Sequence, residues 1–364
     1  MKERRSIRVR ALALVLGLAS ATLAAARPAA LPEKLSDTEF WRLASESSEP
    51  DAYFRITDNY TSNEREVGVV ASMLKENGVK GGVYLGVGPE QNFTYISAIK
   101  PAMAFILDIR RQAAMQHLMF KAIFEFSKDR ADFISLLFSK PRPEGLTPST
   151  SIQKIWDAFM AVGTDQAMST KTYDRIVKQL TETHKFVLTA DELSKLQSVF
   201  SAFTAFGPSI STRGTGGGGV TFADLTGNQF ESNGEVPTFL GSDENFKVVK
   251  TLHDKNLIVP VTGDFGGSKA LRAIGAWLKK ENGIVSAFYV SNVEQYLFQD
   301  GKAPTFYENV GTLPISETSV FIRPYSLRRG SGGATQSLCS ISSFLVAVAN
   351  GRIYGNNEAL ACVR

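Results

Sequence analysis

The residues that could do chemistry recur at intervals, each group following a short apolar run. Gly86-Val87-Gly88-Pro89-Glu90-Gln91 closes the run that opens at Val83, and Asp108-Ile109-Arg110-Arg111-Gln112 closes the run that opens at Met103. Thr262-Gly263-Asp264-Phe265-Gly266-Gly267 and Ser291-Asn292-Val293-Glu294-Gln295 close two more. Gly86 and Gly88 carry no Cβ, so backbone there can approach a ligand closely. The N–H groups of a helix starting near Gln91 can hold an anion or a carboxylate. Asp108 lies 20 residues after Gly88, the spacing at which an acid accepts hydrogen bonds from ribose hydroxyls. Glu90 and Arg110 flank these positions, so the cofactor-binding set is Gly86, Gly88, Glu90, Asp108, Arg110 and Asp264. Asp264 is placed to accept a proton or orient an amine; with Asn292 and Glu294, which would face a substrate, it forms the catalytic candidate set. The polar stretch with Asp58, Asn59, Asn63 and Glu64 is expected to line the opposite wall.

Each residue also has a structural reading. The glycine pair permits a tight turn. Asp108 can pair with Arg110 or Arg111, Asp264 or Ser268 can cap the helix that follows, and Asn292 and Glu294 can begin a helix. A functional reading rests on all four groups meeting at one place.

The elements that must position them alternate. Strands are expected over Val83–Gly86, Met103–Ile109, Val220–Leu225, Leu257–Thr262, Ile284–Ser291 and Ser319–Tyr325, with a further one over Phe344–Val348. They are apolar without polar alternation, as in a parallel sheet covered on both faces. Helices are expected over 65–77, Phe93–Ile99, 113–138, Ser151–Val162, Ser169–His184, Ser242–Asp254 and the stretch SKALRAIGAWLKKEN. Thr189-Ala190-Asp191-Glu192 reads as a capping box opening one more. The fold expected is α/β, a doubly wound and mostly parallel Rossmann-like sheet with a helical insertion after the second strand. Its parts are a linker and short helix at 27–50, a first half at 51–112, the insertion at 113–206, a second half at 207–330 and a C-terminal tail at 331–364. Ligands in such folds bind beyond the carboxyl ends of the strands, where strand order reverses.

The stretches GVYLGVGPEQNFTYI, AFILDIRRQ, LIVPVTGDFGGSKALRAIG and FYVSNVEQYLF resemble a family of uncharacterised bacterial proteins with a Rossmann-like fold. The strand, Gly-x-Gly, strand, Asp arrangement is similar to class I S-adenosylmethionine-dependent methyltransferases. The resemblance spans roughly residues 51–300 and implies S-adenosylmethionine or a related nucleoside as cofactor. The chain departs from methyltransferases at Tyr84, where their first motif begins with an acid, and at Glu90, where it has a third glycine. Glu90 would set negative charge beside a ligand carboxylate unless Arg110 or Arg111 offsets it. Gly263-Asp264-Phe265-Gly266 stands where an Asn-Pro-Pro-Tyr-like motif would. Two readings follow: a binding protein that keeps the fold without catalysis, and an active methyltransferase on an unknown substrate.

Other chemistries lack their residues. The three histidines, His117, His184 and His253, show no metal-ligand spacing, so no metal is expected. No Gly-x-Ser-x-Gly elbow is present, and Gly214 with Gly216–Gly219 lacks the ending of a phosphate-binding loop.

Residues 1–26 combine a basic start, an apolar stretch and Ala24-Ala25-Ala26, the pattern of a secretory signal cleaved near Ala26. The apolar run is shorter than the roughly 20 residues of a membrane span, so no membrane anchor is expected after cleavage. An ordinary secretory leader is preferred to a twin-arginine one at Arg4-Arg5, and the protein is expected to be periplasmic or secreted. The signal holds five basic residues and one acid; removing them from 40 and 36 leaves 35 of each. The mature chain is near neutral, which removes the electrostatic case for nucleic acid. A small molecule is the partner expected. Cys339 and Cys362 would pair in an oxidising compartment, adding on the order of 3 kcal/mol; two buried thiols are the alternative.

Overall fold

The computed structural model describes residues 30–54, 59–212, 219–228, 234–325 and 335–361. The expected signal at 1–26 therefore lies outside the described residues, as do Asp58 and Cys362. Ser36 opens α1 (Asp37–Ser47) with a reciprocal capping box to Glu39. After α2 (Val67–Glu76) come β1 (Val83–Val87), α3 (Gln91–Ile99) and β2 (Met103–Asp108). Every residue of both strands is buried, which accounts for their unbroken apolar sequence.

A long helical excursion then separates β2 from the next strand. It comprises α4 (Arg111–Phe126), α5 (Arg130–Phe138), α6 (Ile152–Met160), α7 (Gln166–Lys178), α8 (Ala190–Phe206), α9 (Phe222–Gly227) and α10 (Asp243–Asp254). A π-helical turn at Gln179–Thr183 continues α7. Beyond it follow β3 (Ile258–Thr262), α11 (Ala270–Lys280), β4 (Val285–Tyr289), α12 (Val293–Gln299), α13 (Ala303–Gly311), β5 (Ile315–Tyr325), β6 (Thr335–Ser340), α14 (Ile341–Ala349) and α15 (Asn356–Leu360).

Among the described residues the strands form one six-stranded sheet ordered β3-β2-β1-β4-β5-β6. The pairs β1–β2, β1–β4, β2–β3 and β4–β5 are parallel, and β5–β6 is antiparallel. The chain builds outward from β1 through β2 to β3, then returns to lay β4 on the other side of β1. The helices fall into two groups. α2, α3, α4 and α10 pack among themselves and on the sheet, while α1, α11, α13 and α14 do the same separately.

Three expectations are corrected. Val220–Leu225 is not a strand: Phe222–Gly227 is a short helix opened by a capping box between Thr221 and Asp224. Thr-x-x-Asp carries that signal, and Phe222 buries its ring against Phe138, Trp156 and Phe203. The excursion after β2 is accordingly longer than the expected 113–206. Phe344–Val348 is helical, since Ser340 caps α14 and Ile341, Phe344 and Ala347 are buried at helical spacing. The last strand lies instead at Thr335–Ser340, within the expected tail, and places Cys339 in the core. The single helix expected over 113–138 breaks at Ser127, and Asp129 caps its second half.

Phe93 on α3 is the hub of the packing between β1 and the excursion. Its ring lies 5.3–5.7 Å from those of Phe120, Phe124, Phe239, His117 and His253. Phe93→Ala is expected to cost about 3–5 kcal/mol in urea unfolding; a loss below about 1 kcal/mol would contradict this packing.

Candidate functional site

The carboxyl ends of β1, β2, β3 and β4 open onto a cavity of about 190 Å³. Gly88, Asp108, Arg110, Asp264 and Asn292 all line it, together with Asn59 and Asn63. Residues far apart in sequence are thus brought to one sheet edge.

At the end of β1, the two glycines do different things. Gly88 has φ +76°, a conformation that disfavours any side chain, and it lines the cavity. Gly86 does not line it. A Cβ there would lie 2.0 Å from Asn92 Oδ1 and 2.8 Å from the Tyr84 ring, so this glycine makes room for the Tyr84 hydroxyl to donate to Asn92 (2.8 Å). Asn92 Nδ2 in turn lies 2.7–3.1 Å from the carbonyls of Val87, Gly88 and Pro89. From the other side His117 Nε2 donates to the Gly88 carbonyl at 2.9 Å. Burial pushes the His117 imidazole down to about 4, so it is neutral and its Nε2 proton serves this bond.

Glu90 is also absent from the cavity lining. It is buried, accepts from the Ser62 N–H at 3.2 Å, and its Oε2 has no hydrogen-bond partner. Burial pushes its carboxyl up to about 8, against the weaker pull of backbone N–H groups. Neither arginine pairs with Glu90. Arg110 is held by Asp108, and Arg111 turns to Glu192 and Thr262. Glu90 is neutralised by protonation instead.

At the end of β2, Asp108 Oδ1 accepts from Arg110 N (3.0 Å) and Nε (3.1 Å), and Oδ2 accepts from Arg110 Nη2 (3.1 Å). At the end of β3, Asp264 accepts from the Gly266 N–H (2.9 Å) and from Lys302 Nζ (2.6 Å). That hydrogen bond raises the Lys302 ammonium above its ordinary range. Neither Asp264 nor Ser268 caps α11. Glu49 does so from the segment after α1, accepting from the N–H groups of Asp264 (3.0 Å), Lys269 (2.8 Å) and Ala270 (3.0 Å). A Cβ on Gly267 would meet this carboxylate at 2.5 Å, which explains the glycine-rich loop without a ligand.

At the end of β4, Asn292 lines the cavity but Glu294 does not. Glu294 accepts from Arg323 Nε and Nη2, both at 2.7 Å, and from the Tyr307 hydroxyl at 2.9 Å. Its carboxylate is spent on a fully buried ion pair. Glu64 likewise stands behind the wall, where its Oε1 accepts from the hydroxyls of Tyr289 (3.0 Å) and Ser291 (3.2 Å). Tyr289 and Ser291 line the cavity in its place, and Ser291 has φ +47°. Tyr53, Phe54 and Tyr296 add aromatic surface, with Phe54 and Tyr296 edge to face at 5.0 Å. Sequence reasoning passed over these hydroxyls and rings, and also Gln91 and Lys302. Gln91, Tyr289 and Ser291 sit at strand ends already singled out; Lys302 had no local signal.

Among the described residues no group of three His, Cys, Asp or Glu side chains is arranged to hold a metal ion. No helix among them is long and apolar enough to cross a membrane.

Fold and site together define an α/β protein with a cavity across the carboxyl edge of a mostly parallel sheet. The chain belongs to the family described as Domain of unknown function (DUF7790), whose model matches residues 59–202 and 223–338. Those segments contain every cavity-lining residue except Tyr53 and Phe54. A search of curated proteins finds no match.

Two expectations follow from the buried groups. Glu294→Ala strands the Arg323 guanidinium and is expected to cost about 3–5 kcal/mol in chemical denaturation; a near-neutral result would contradict the pairing. Glu90 carries a folded pKa near 8 against an ordinary 4.5, so its contribution is full below pH 4.5 and is lost as pH rises towards 8. His117, lowered from 6.5 to about 4, acts oppositely as pH falls through that interval. The net decline therefore shows between pH 6.5 and 8. Glu90→Gln is expected to flatten that decline in denaturation curves, and an unchanged slope would show that Glu90 is already ionised.

Proposed function

We propose that this is an exported binding protein with a doubly wound, Rossmann-like sheet that holds a small polar ligand in the cavity where strand order reverses. The observation that carries the reading is the convergence of Gly88, Asp108, Asp264 and Asn292, from four strand ends, on one cavity. The sheet order supports it: β1 and β4 are neighbours while the chain has gone to β3 between them, and ligands of open α/β sheets bind at such a switch point. The signal reading of residues 1–26 supplies the periplasmic or secreted location.

The ligand class proposed is S-adenosylmethionine or a related nucleoside. The residues fit it in part. A Cβ at Gly88 would have Gln91 Nε2 at 3.4 Å and Asn59 Nδ2 at 3.9 Å, so backbone there is approachable. Asp108 gives Oδ2 to one Arg110 hydrogen bond, which leaves that oxygen a lone pair for a hydroxyl. When bound, such a cofactor would supply a transferable methyl group. This chain's residues would only bind and orient it, through Asp108, the Gly88 turn and the aromatic surface of Phe54 and Tyr296.

Two observations favour binding over catalysis. Asp108 and Asp264 are tied into ion pairs with Arg110 and Lys302. Glu294, the acid expected to face a substrate, is spent on Arg323. An active methyltransferase is the second reading, favoured by the retention of Gly88 and Asp108 at the cavity, since methyl transfer chiefly requires positioning.

Titration calorimetry with S-adenosylmethionine and S-adenosylhomocysteine tests the ligand class. Saturable heat that disappears in Asp108→Ala is expected. No heat from either compound, with the protein folded, would remove the nucleoside reading.

A further inference from the structure

We propose that the β1–β4 side of this cavity is an acceptor wall that recognises an amine or ammonium group, and that Glu64 is the positioning residue that makes it so. The proposal rests on the reading of the cavity as a ligand site and narrows its ligand to one bearing a hydrogen-bond-donating nitrogen.

The direction of each hydrogen bond carries the inference. Tyr289 and Ser291, both lining the cavity, donate their hydroxyl hydrogens to the same oxygen of buried Glu64. A hydroxyl whose hydrogen is committed has only lone pairs left to offer. Gln91, on the neighbouring strand end, is 3 % exposed and lines the same cavity. Its Nε2 donates to the Val87 carbonyl at 3.0 Å, which fixes the amide orientation, and its Oε1 has no partner. A buried carbonyl oxygen without a donor costs about 1–3 kcal/mol unless something supplies one. Three side chains at the ends of two adjacent strands thus hold oxygen acceptors beside the cavity, with one hydrogen of Gln91 Nε2 outside its bond to Val87.

Charge agrees with this. Among the described lining residues, Asp108, Asp264 and Asp300 stand against Arg110 and Lys302, one more carboxylate than cations. Both cations belong to the β2 and β3 side, where each is paired with an aspartate. Phe54 and Tyr296 add ring surface of the kind that attracts a cation. The proposal sets an amine on the side chains that adjoin the α3 N-terminus, where the sequence suggested an anion.

Matched aromatic probes test this on the intact protein: 2-phenylethylamine, 2-phenylethanol and 3-phenylpropionate, with affinities read by ligand-observed NMR. The amine is expected to bind about tenfold more tightly than the alcohol or the acid, as a charge-assisted hydrogen bond implies. Glu64→Leu frees both hydroxyl hydrogens to turn into the cavity and is expected to erase that preference. Glu64→Gln keeps an acceptor oxygen and is expected to restore it, with melting curves checking that each variant folds. Gln91→Leu, which leaves Glu64 untouched, is expected to weaken the amine alone. Equal affinities, a preference for the acid, or equal loss in Glu64→Gln and Glu64→Leu would overturn the acceptor wall while leaving a ligand cavity standing. Failure of all three probes to bind folded protein would overturn the cavity reading and this inference together.

Discussion

The turn after β1 is the constraint on which the site depends. A buried parallel strand must end by releasing its backbone groups into a place where they find partners. Here the side chains supply them. The two hydrogens of Asn92 Nδ2 are shared among three successive carbonyls, and His117 reaches the middle one from α4. Gly88 can then hold its left-handed conformation and face the cavity. Tyr84 holds Asn92, and the missing Cβ of Gly86 lets it do so. The two glycines of the Gly-x-Gly motif therefore serve one turn in different ways, one by conformation and one by space.

Electrostatics around that turn are settled residue by residue. Buried charges persist where they are paired and vanish where they are not. Asp108 keeps Arg110 and Glu294 keeps Arg323, whose guanidinium also lies 3.7 Å from the Phe344 ring centre, while the half-exposed Lys302 pairs with Asp264 nearer the surface. Glu90 has no cation, and protonation takes the place of one. The cavity is left bounded by neutralised pairs on one side and hydroxyl and amide oxygens on the other.

The helical excursion and the N-terminal segment are fastened to the same edge. Arg111, at the start of α4, joins Glu192 on α8 to Thr262 at the end of β3. His184, after the π-helical turn, sits between Asp37 of α1 and Glu125 of α4, each at 2.8 Å. Glu49 then carries the chain from α1 across the end of β3 and into the α11 N-terminus, a favourable place for a carboxylate. Tyr53 and Phe54 reach the cavity because that path brings them there.

The sequence by itself determined the alternation of elements, the positions of β1, β2, β3 and β4 within one or two residues, and the strand ends at which polar residues gather. These are local properties: apolar runs, glycine punctuation and capping boxes act over a few residues. It misplaced Phe222 and Phe344, because a short apolar run suits either a strand or a buried helix and only packing decides between them. Only the tertiary structure decided which polar residues face the cavity. Glu64 and Glu294 look alike in sequence to Asp108 and Asp264, yet they lie behind the wall because Tyr289, Ser291 and Arg323 approach them from distant segments. The direction of a side chain is set by the hydrogen bonds and ion pairs it finds after folding, and those partners come from far along the chain.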